Sequence, residues 1–175
     1  MSLSRSHRLL ILRHAKAEAP WDTPDRDRGL TERGGRQSRW IGDRLCGPGL
    51  LPDGAVVSDA LRTRATYAWL ASRLGEDAPS PYLDPRLYEA SGSRLISVVN
   101  ETPETVSTLL VVAHQPAVQE AVLRLASLDS ATEALTDVSW DYPTAGLAVF
   151  EVPGEWATLD GRDARLVDFL VPPRD

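Results

Sequence analysis

The sequence predicts an α/β protein with three layers, in which helices cover both faces of a mostly parallel sheet. Two apolar runs, residues 9–12 and 109–113, are too short for ordinary helices and are typical of buried parallel strands. Helical segments alternate with such runs, which indicates right-handed crossovers within one sheet. Residues 144–152 and 165–171 have strand patterns with no helical pattern between them, so we expect an antiparallel edge near the carboxyl end.

The other elements are bounded by residues that start or stop regular structure. Residues 15–29 carry two prolines and alternating charges, which predicts a long loop over a site. Thr31 is suited to cap the first helix, and Gly75 is suited to end the second. Further strands are expected at 55–58 and 82–83. The predicted helices follow Thr31, run over about 60–74, follow Ser91 or Ser93, and follow Pro116.

The composition is that of an ordinary globular domain. The chain has 175 residues, of which 42% are hydrophobic and 25% charged, and we expect one domain over 1–175 with a polar leader over 1–7. We expect His7 to be a solvated residue of that leader with no role. The net charge of −6 argues against general binding of nucleic acid or of a membrane surface, because such binders usually present a basic face.

The sequence contains no recognisable targeting segment. No apolar stretch approaches the roughly 18 residues of a membrane span, and no signal-peptide pattern is found at the amino terminus. The single cysteine, Cys46, cannot form an internal disulfide and fits a reducing compartment. We therefore expect a cytoplasmic protein in which Cys46 is a small buried residue.

Two histidines follow the carboxyl ends of predicted strands, where α/β proteins usually carry their functional residues. Arg13 and His14 follow the first apolar run directly, and His114 follows the run at 109–113. Because the carboxyl ends of parallel strands meet at one edge, these side chains are expected to converge. Arg62 lies in the first turn of a helix, where a bound anion would offset its unfavourable interaction with the helix dipole.

Such a cluster is suited to phosphoryl transfer. Two arginines match phosphate oxygens with their planar guanidinium groups, and they disfavour the imidazolium form of a neighbouring histidine. One histidine can then attack phosphorus while the other donates to a phosphate oxygen, without a metal or cofactor. A metal site is disfavoured because the ligand spacings are absent and the arginines would repel a cation. A serine hydrolase is disfavoured because no G-x-S-x-G motif occurs.

The segments around these residues resemble a known family. The residues Leu12-Arg13-His14-Ala15 resemble the R-H-G signature of the histidine phosphatase superfamily, in the R-H-A form of its small bacterial SixA-like phosphohistidine phosphatases. Further segments with family likeness follow in the expected order over nearly the whole chain. They are residues 27–34 (DRGLTERG), 58–63 (SDALRT), 87–91 (LYEAS) and 112–116 (VAHQP).

The resemblance implies a phosphoglycerate mutase-like fold and a metal-independent phosphatase. His14 is then the nucleophile that becomes phosphorylated, with Arg13, Arg62 and His114 holding the phosphate until water releases it. The substrate is expected to be phosphohistidine on a protein, because the chain lacks the long insertions that build a lid in the sugar-phosphate mutases.

The identity of the general acid stays open. Glu89 matches the position of the family's acid and lies at a strand-to-helix junction, while Glu18 in the loop is the other candidate, and the reaction can also proceed with neither. Two residues depart from the family pattern, one after His14 and one in the helix that carries Arg62. Ala15 replaces the common glycine and requires a negative φ there, and Thr66 stands near the position of the usual glutamine.

Three functions remain as hypotheses. The first is a phosphatase acting on phosphohistidine of a protein partner. The second keeps the same chemistry on a small phosphate ester. The third is a phosphate-binding or interaction module without turnover. The sequence identifies neither the physiological partner nor the oligomeric state.

Overall fold

The computed structural model describes residues 6–174, which form a mixed six-stranded sheet. The strands are β1 His7–Arg13, β2 Gly54–Val57, β3 Tyr82–Leu83, β4 Thr108–Ala113, β5 Leu147–Val152 and β6 Arg165–Leu170. Their order across the sheet is β3-β2-β4-β1-β5-β6. The first four pair in parallel, whereas β5 is antiparallel to β1 and β6 to β5. The expected mostly parallel sheet with an antiparallel edge is confirmed.

Five α-helices connect the strands within residues 6–174. They are α1 Glu32–Leu45, α2 Leu61–Leu74, α3 Gly92–Asn100, α4 Ala117–Leu125 and α5 Thr132–Trp140. The sequence did not predict α5, because its inward face presents only Ala134 and Val138 as buried residues and its apolar period is weak. No helix in this part of the chain is long and apolar enough to cross a membrane.

The expected helix ends are confirmed by their hydrogen bonds. The amide of Gly34 donates to the hydroxyl of Thr31 (3.1 Å), and the amide of Arg94 donates to the hydroxyl of Ser91 (3.1 Å). Gly75 ends α2 with φ +62°, a conformation that glycine adopts without steric penalty. These caps fix where α1, α2 and α3 meet the edge of the sheet.

The sheet separates two apolar cores. Leu9 and Ile11 of β1 point into a core formed with α3, α4 and α5, while Leu10 and Leu12 point into a second core formed with α1 and α2. Both faces of β1 are therefore buried, which is why its sequence is continuously apolar rather than alternating. This arrangement gives the three layers that the sequence predicts.

Two expectations about single residues are wrong. His7 does not belong to a solvated leader: it pairs with Val152 at the start of β1, is buried, and stacks on Trp156 with ring centroids 4.7 Å apart. Residues 1–5 of the expected leader lie outside the described residues. Cys46 is exposed, because it follows the last buried residue of α1 as the helix leaves the core.

Candidate active site

The two predicted histidines meet at the carboxyl edge of the parallel strands. His14 follows β1 and His114 follows β4, and the amide of His14 donates to the carbonyl of Ala113 (3.0 Å). The centroids of the two imidazole rings are 5.3 Å apart. Adjacent parallel strands therefore bring together residues one hundred positions apart in the sequence.

The ring of His14 is held in one tautomer. Its Nδ1 lies 2.8 Å from the carbonyl oxygen of Ala15, and because a carbonyl only accepts, Nδ1 carries the proton and Nε2 has a free lone pair. Burial lowers the pKa of His14 from its usual 6.5 to about 4, with a further contribution from nearby Arg62, Arg13 and Arg28. His14 is thus a neutral imidazole at physiological pH.

Thr66 fixes the backbone that follows the nucleophile. The amide of Ala15 donates to the hydroxyl of Thr66 (3.0 Å), which in turn donates to the carbonyl of Arg62 (2.7 Å). Ala15 is fully buried and does not adopt a positive φ, as its side chain requires. Thr66 therefore links α2 to the backbone that follows His14.

His14 opens into a cavity of about 290 Å³ that we call the inner cavity. Four cationic side chains line it, and no carboxylate does within the described residues. The lining residues are Arg13, His14, Lys16, Ala17, Arg28, Arg62, His114, Gln115 and Thr144. A concave site of this charge is suited to binding an anion.

Arg13 and Arg62 keep donors available for a ligand. Nη1 of Arg13 donates to the carbonyl of Tyr142 (2.8 Å), and both Nη atoms of Arg62 donate to Asp25. The Nε atoms of both arginines are buried and have no partner within residues 6–174. Because an unpaired buried donor is unfavourable, these N–H groups favour binding of an anion.

His114 is held by a serine that the sequence analysis did not single out. Its Nε2 lies 2.8 Å from the hydroxyl of Ser58, and its buried Nδ1 has no partner in the described part of the chain. The pKa of His114 is lowered from 6.5 to about 3, mainly by burial and secondarily by the neighbouring His14 and Arg62. A second neutral imidazole, able to donate one hydrogen bond, therefore faces the first.

Asp25 of the long loop is a further residue that the sequence did not reveal. Its carboxylate accepts hydrogen bonds from Arg28, Arg62 and the hydroxyl of Tyr88. These donors, led by the Tyr88 hydroxyl, hold the pKa of Asp25 well below its usual range. The only sequence signal was its position among alternating charges in a loop expected to cover a site.

Glu89 lies beside the inner cavity rather than in it. It lines a second cavity of about 500 Å³, which we call the outer pocket. Arg62 and His114 line both cavities, so the two adjoin. Glu89 is exposed and adopts φ +54° at the junction before α3. Glu18 lines neither cavity, and its backbone carbonyl accepts from Nη1 of Arg28 (2.7 Å).

Of the two candidate carboxylates, only Glu89 lines a cavity together with His114, and that outer pocket adjoins the inner cavity. The predicted residues Arg13, His14, Arg62 and His114 all share the inner cavity. Within residues 6–174, no group of three or more histidine, cysteine, aspartate or glutamate side chains is arranged to hold a metal ion.

Comparison with known proteins identifies the family. The sequence model of the histidine phosphatase superfamily (branch 1) matches residues 9–95. An uncharacterized protein of Mycobacterium tuberculosis is 37% identical over 162 residues, which cover 92% of this chain and 99% of the relative. A protein of Mycobacterium leprae, also uncharacterized, is 33% identical over 165 residues, with coverage of 92% and 99%.

Solved structures agree with this assignment. A protein of Nakamurella multipartitia, provisionally designated phosphohistidine phosphatase SixA, superposes with a TM-score of 0.83 at 27% identity, covering 95% of this chain and 96% of its own. A protein of Agrobacterium tumefaciens with the same provisional designation gives a TM-score of 0.75 at 27% identity, covering 95% and 98%.

The chain belongs to the histidine phosphatase superfamily, whose members are phosphatases and mutases. Within that superfamily it belongs to the SixA-like branch, as the resemblance around His14 implied. The family supports a phosphatase that binds phosphate-containing substrates. The fold is the phosphoglycerate mutase-like α/β fold.

Proposed function

We propose that this protein is a metal-independent phosphatase in which Nε2 of His14 accepts the phosphoryl group, and that its substrate is phosphohistidine on a protein. The observation that carries the proposal is the hydrogen bond from Nδ1 of His14 to the carbonyl of Ala15 (2.8 Å) within a cationic cavity. This bond leaves Nε2 free to attack phosphorus, and the surrounding cations offset the negative charge of the phosphoryl group.

In the first step, a bond forms between Nε2 of His14 and phosphorus while the bond from phosphorus to the substrate's imidazole nitrogen breaks. The departing imidazole needs little help, because its other ring nitrogen can already carry a proton. The free donors of Arg13, Arg62 and His114 bind the phosphoryl oxygens, whose charge spreads in the transition state. Nδ1 of His14 keeps its proton throughout, because it donates a hydrogen bond to the carbonyl oxygen of Ala15.

In the second step, water attacks phosphorus and the bond to Nε2 of His14 breaks, with its electron pair returning to the ring. The attacking water transfers one proton to a phosphoryl oxygen, and inorganic phosphate leaves the inner cavity with that proton. We assign Glu89 to proton transfer at the leaving group, because it lines the outer pocket next to His114 and Arg62. This role matters most for substrates whose leaving atom cannot already carry a proton.

A protein substrate is supported by the surroundings of the site. The outer pocket presents the ring of Tyr88 as an aromatic wall, and the carboxylates of Glu89 and Glu120 can accept N–H groups. An imidazole leaving group fits these features. The solved relatives from Nakamurella multipartitia and Agrobacterium tumefaciens, both provisionally designated phosphohistidine phosphatases, support the same substrate.

A small phosphate ester is the second candidate substrate. The outer pocket, at about 500 Å³, has the volume of an ordinary small-molecule site. Such a substrate would leave an alkoxide that needs a proton, so its turnover would depend strongly on Glu89. The two candidates therefore make different demands on the same carboxylate.

We also propose that the chain forms one domain and acts in the cytoplasm. The residues that line the two cavities range from Arg13 to Thr144, so the site draws on most of the chain. A single exposed cysteine is compatible with a reducing compartment.

The test is release of phosphate from a histidine-phosphorylated carrier protein in the presence of a chelator, compared with His14→Ala. We expect release by the wild type and none by the variant. His7→Ala is the matched control, because His7 lies at the opposite end of β1 and should leave turnover intact. Hydrolysis of metabolite phosphates alone would favour the small ester, and phosphate binding without any hydrolysis would favour an interaction module.

A further inference from the structure

Asp25 joins two arginines that line the inner cavity, Arg28 and Arg62, to Tyr88, which lines the outer pocket. Its Oδ2 accepts from Nη2 of Arg62 (3.1 Å) and from the hydroxyl of Tyr88 (2.5 Å). Its Oδ1 accepts from Nε (3.1 Å) and Nη2 (2.9 Å) of Arg28, and its backbone carbonyl accepts from Nη1 of Arg62 (2.7 Å). One residue of the loop thus contacts both Arg28 and Arg62.

The arginines retain donors after these contacts. A guanidinium group has five N–H donors, and Arg62 uses one from each Nη atom on Asp25, which leaves three, including the buried Nε. Arg28 uses two donors on Asp25 and one on the carbonyl of Glu18, which leaves two. Asp25 and a phosphate group can therefore be bound by the same arginines at the same time.

We propose that Asp25 is a positioning residue of the phosphate site. It holds Arg28 and Arg62 by their outer edges, so that their remaining donors face the inner cavity. Through Tyr88 it also ties the loop to the segment that carries Glu89. This inference rests on the proposed function, since it assigns a role within the same site, but it concerns anion binding rather than the identity of the substrate.

The opposite role, in which Asp25 competes with phosphate for the arginines, gives the opposite result on substitution. Asp25→Asn adds one positive charge to the site, and charge alone would strengthen binding of an anion. Loss of positioning weakens it, because the amide cannot accept from Arg28, Arg62 and Tyr88 in the same way. The sign of the change separates the two roles.

The experiment is calorimetric titration of inorganic phosphate into the wild type, Asp25→Asn and Asp27→Asn at fixed ionic strength. We expect Asp25→Asn to weaken binding about tenfold, in line with the loss of charge-assisted hydrogen bonds. Asp27→Asn makes the same charge change in the same short turn and should alter binding less than twofold. Unchanged or tighter binding by Asp25→Asn, or an equal loss in Asp27→Asn, would overturn the inference.

A double-mutant cycle tests whether Asp25 acts through Arg62. The kcat/KM for an aryl phosphate should fall about tenfold for Asp25→Asn in the wild type, but less than threefold in the Arg62→Ala background. Tyr88→Phe, which removes one of the hydrogen bonds to Asp25, should give a two- to threefold loss. A full tenfold effect of Asp25→Asn without Arg62 would contradict a role through that arginine.

The outcomes also separate this inference from the proposed function. If the wild type binds phosphate and Asp25→Asn binds it equally well, the positioning role fails and the phosphatase proposal stands. If the wild type does not bind phosphate, the proposed function fails and the role of Asp25 fails with it.

Discussion

The inner cavity and the outer pocket share Arg62 and His114 but differ in charge. The inner cavity is lined by Arg13, Lys16, Arg28 and Arg62 with no carboxylate among the described residues. The outer pocket has Arg62 as its one cation within residues 6–174 and carries the carboxylates of Asp25, Glu89 and Glu120. This difference supports our proposal that the inner cavity binds the phosphoryl group and the outer pocket binds the group that carries it.

The two cavities also differ in how firmly their residues are held. His14 and His114 follow central strands and are more than nine-tenths buried, and Arg62 begins a helix packed on the sheet. Glu89 is exposed and stands on a short connection before α3. We infer that the chemistry depends on the rigid cavity, whereas the outer pocket adjusts which substrate is used.

The largest expected effect is loss of the nucleophile from the inner cavity. His14→Ala removes the atom that bonds to phosphorus, so kcat should fall by at least about 10³-fold on every phosphorylated substrate. Steady-state phosphate release measures this. Retention of more than a tenth of the wild-type rate would mean that another group attacks phosphorus.

Removal of a single cation from the inner cavity should come next. Arg62→Ala should lower kcat/KM about 10²- to 10³-fold for all substrates, because Arg62 stabilises the charge on the phosphoryl oxygens. Arg62→Lys should recover only part of this loss, since lysine lacks the planar fork. Arg64→Ala is the matched control, because Arg64 is exposed on the same helix and lines neither cavity.

A change in the outer pocket should depend on the substrate. Glu89→Gln should lower kcat about 10²-fold for an alkyl phosphate, whose leaving oxygen needs a proton, but less than about tenfold for phosphohistidine. Glu76 is an exposed carboxylate in the turn Gly75–Asp77, so Glu76→Gln should leave kcat unchanged for both substrates. Equal losses on both substrates would show that the outer pocket does not distinguish leaving groups.

A smaller effect is expected where the backbone beside His14 is anchored. Thr66→Val keeps the shape but leaves the buried amide of Ala15 without its acceptor, so it should destabilise the fold by about 1–3 kcal/mol and lower kcat/KM several-fold. Thr136→Val is the control, since Thr136 makes the same bond to the preceding helical turn on an exposed surface. Urea unfolding measures the free energy of unfolding of both variants. Equal decreases for Thr66→Val and Thr136→Val would contradict a special role of Thr66.

The last expected effect is that of mild acid, and it concerns stability rather than activity. The folded pKa of His14, about 4, lies below its unfolded value near 6.5, so the unfolded chain binds more protons between these values. Stability should therefore fall as pH drops from 6.5 towards 4, by roughly 3 kcal/mol from this group. Well above pH 6.5, the contribution of His14 to stability should not change with pH. Urea unfolding of wild type and His14→Gln should show a weaker pH dependence in the variant, and identical slopes would contradict the neutral imidazole.

The fold and the centre of the inner cavity could be predicted because their signals are local. Apolar runs ending at His14 and His114, and a cap at Thr31, each appear within a few residues of sequence. The roles expected of these residues remain predictions. Contacts that join distant segments through one or two polar atoms leave no pattern in the sequence. The hydrogen bonds of Asp25 and Thr66 are of this kind.

Two failures have the same physical origin. The helix α5 was missed because only Ala134 and Val138 face the core, so its period is barely visible. The burial of His7 could not be predicted, because nothing near it in the sequence indicates the ring of Trp156 that it contacts. In both cases the partner that stabilises the residue or element lies elsewhere in the chain.

The most direct test of the central claim is to trap the phosphorylated enzyme and determine which atom carries the label. The protein is mixed with a histidine-phosphorylated carrier, quenched in base, and the modified residue is located by mass spectrometry and ³¹P NMR. We expect phosphate on Nε2 of His14, because Nδ1 is bonded to the carbonyl of Ala15. Phosphate on Nδ1, or on any residue other than His14, or turnover with no labelled enzyme at any time would contradict the mechanism.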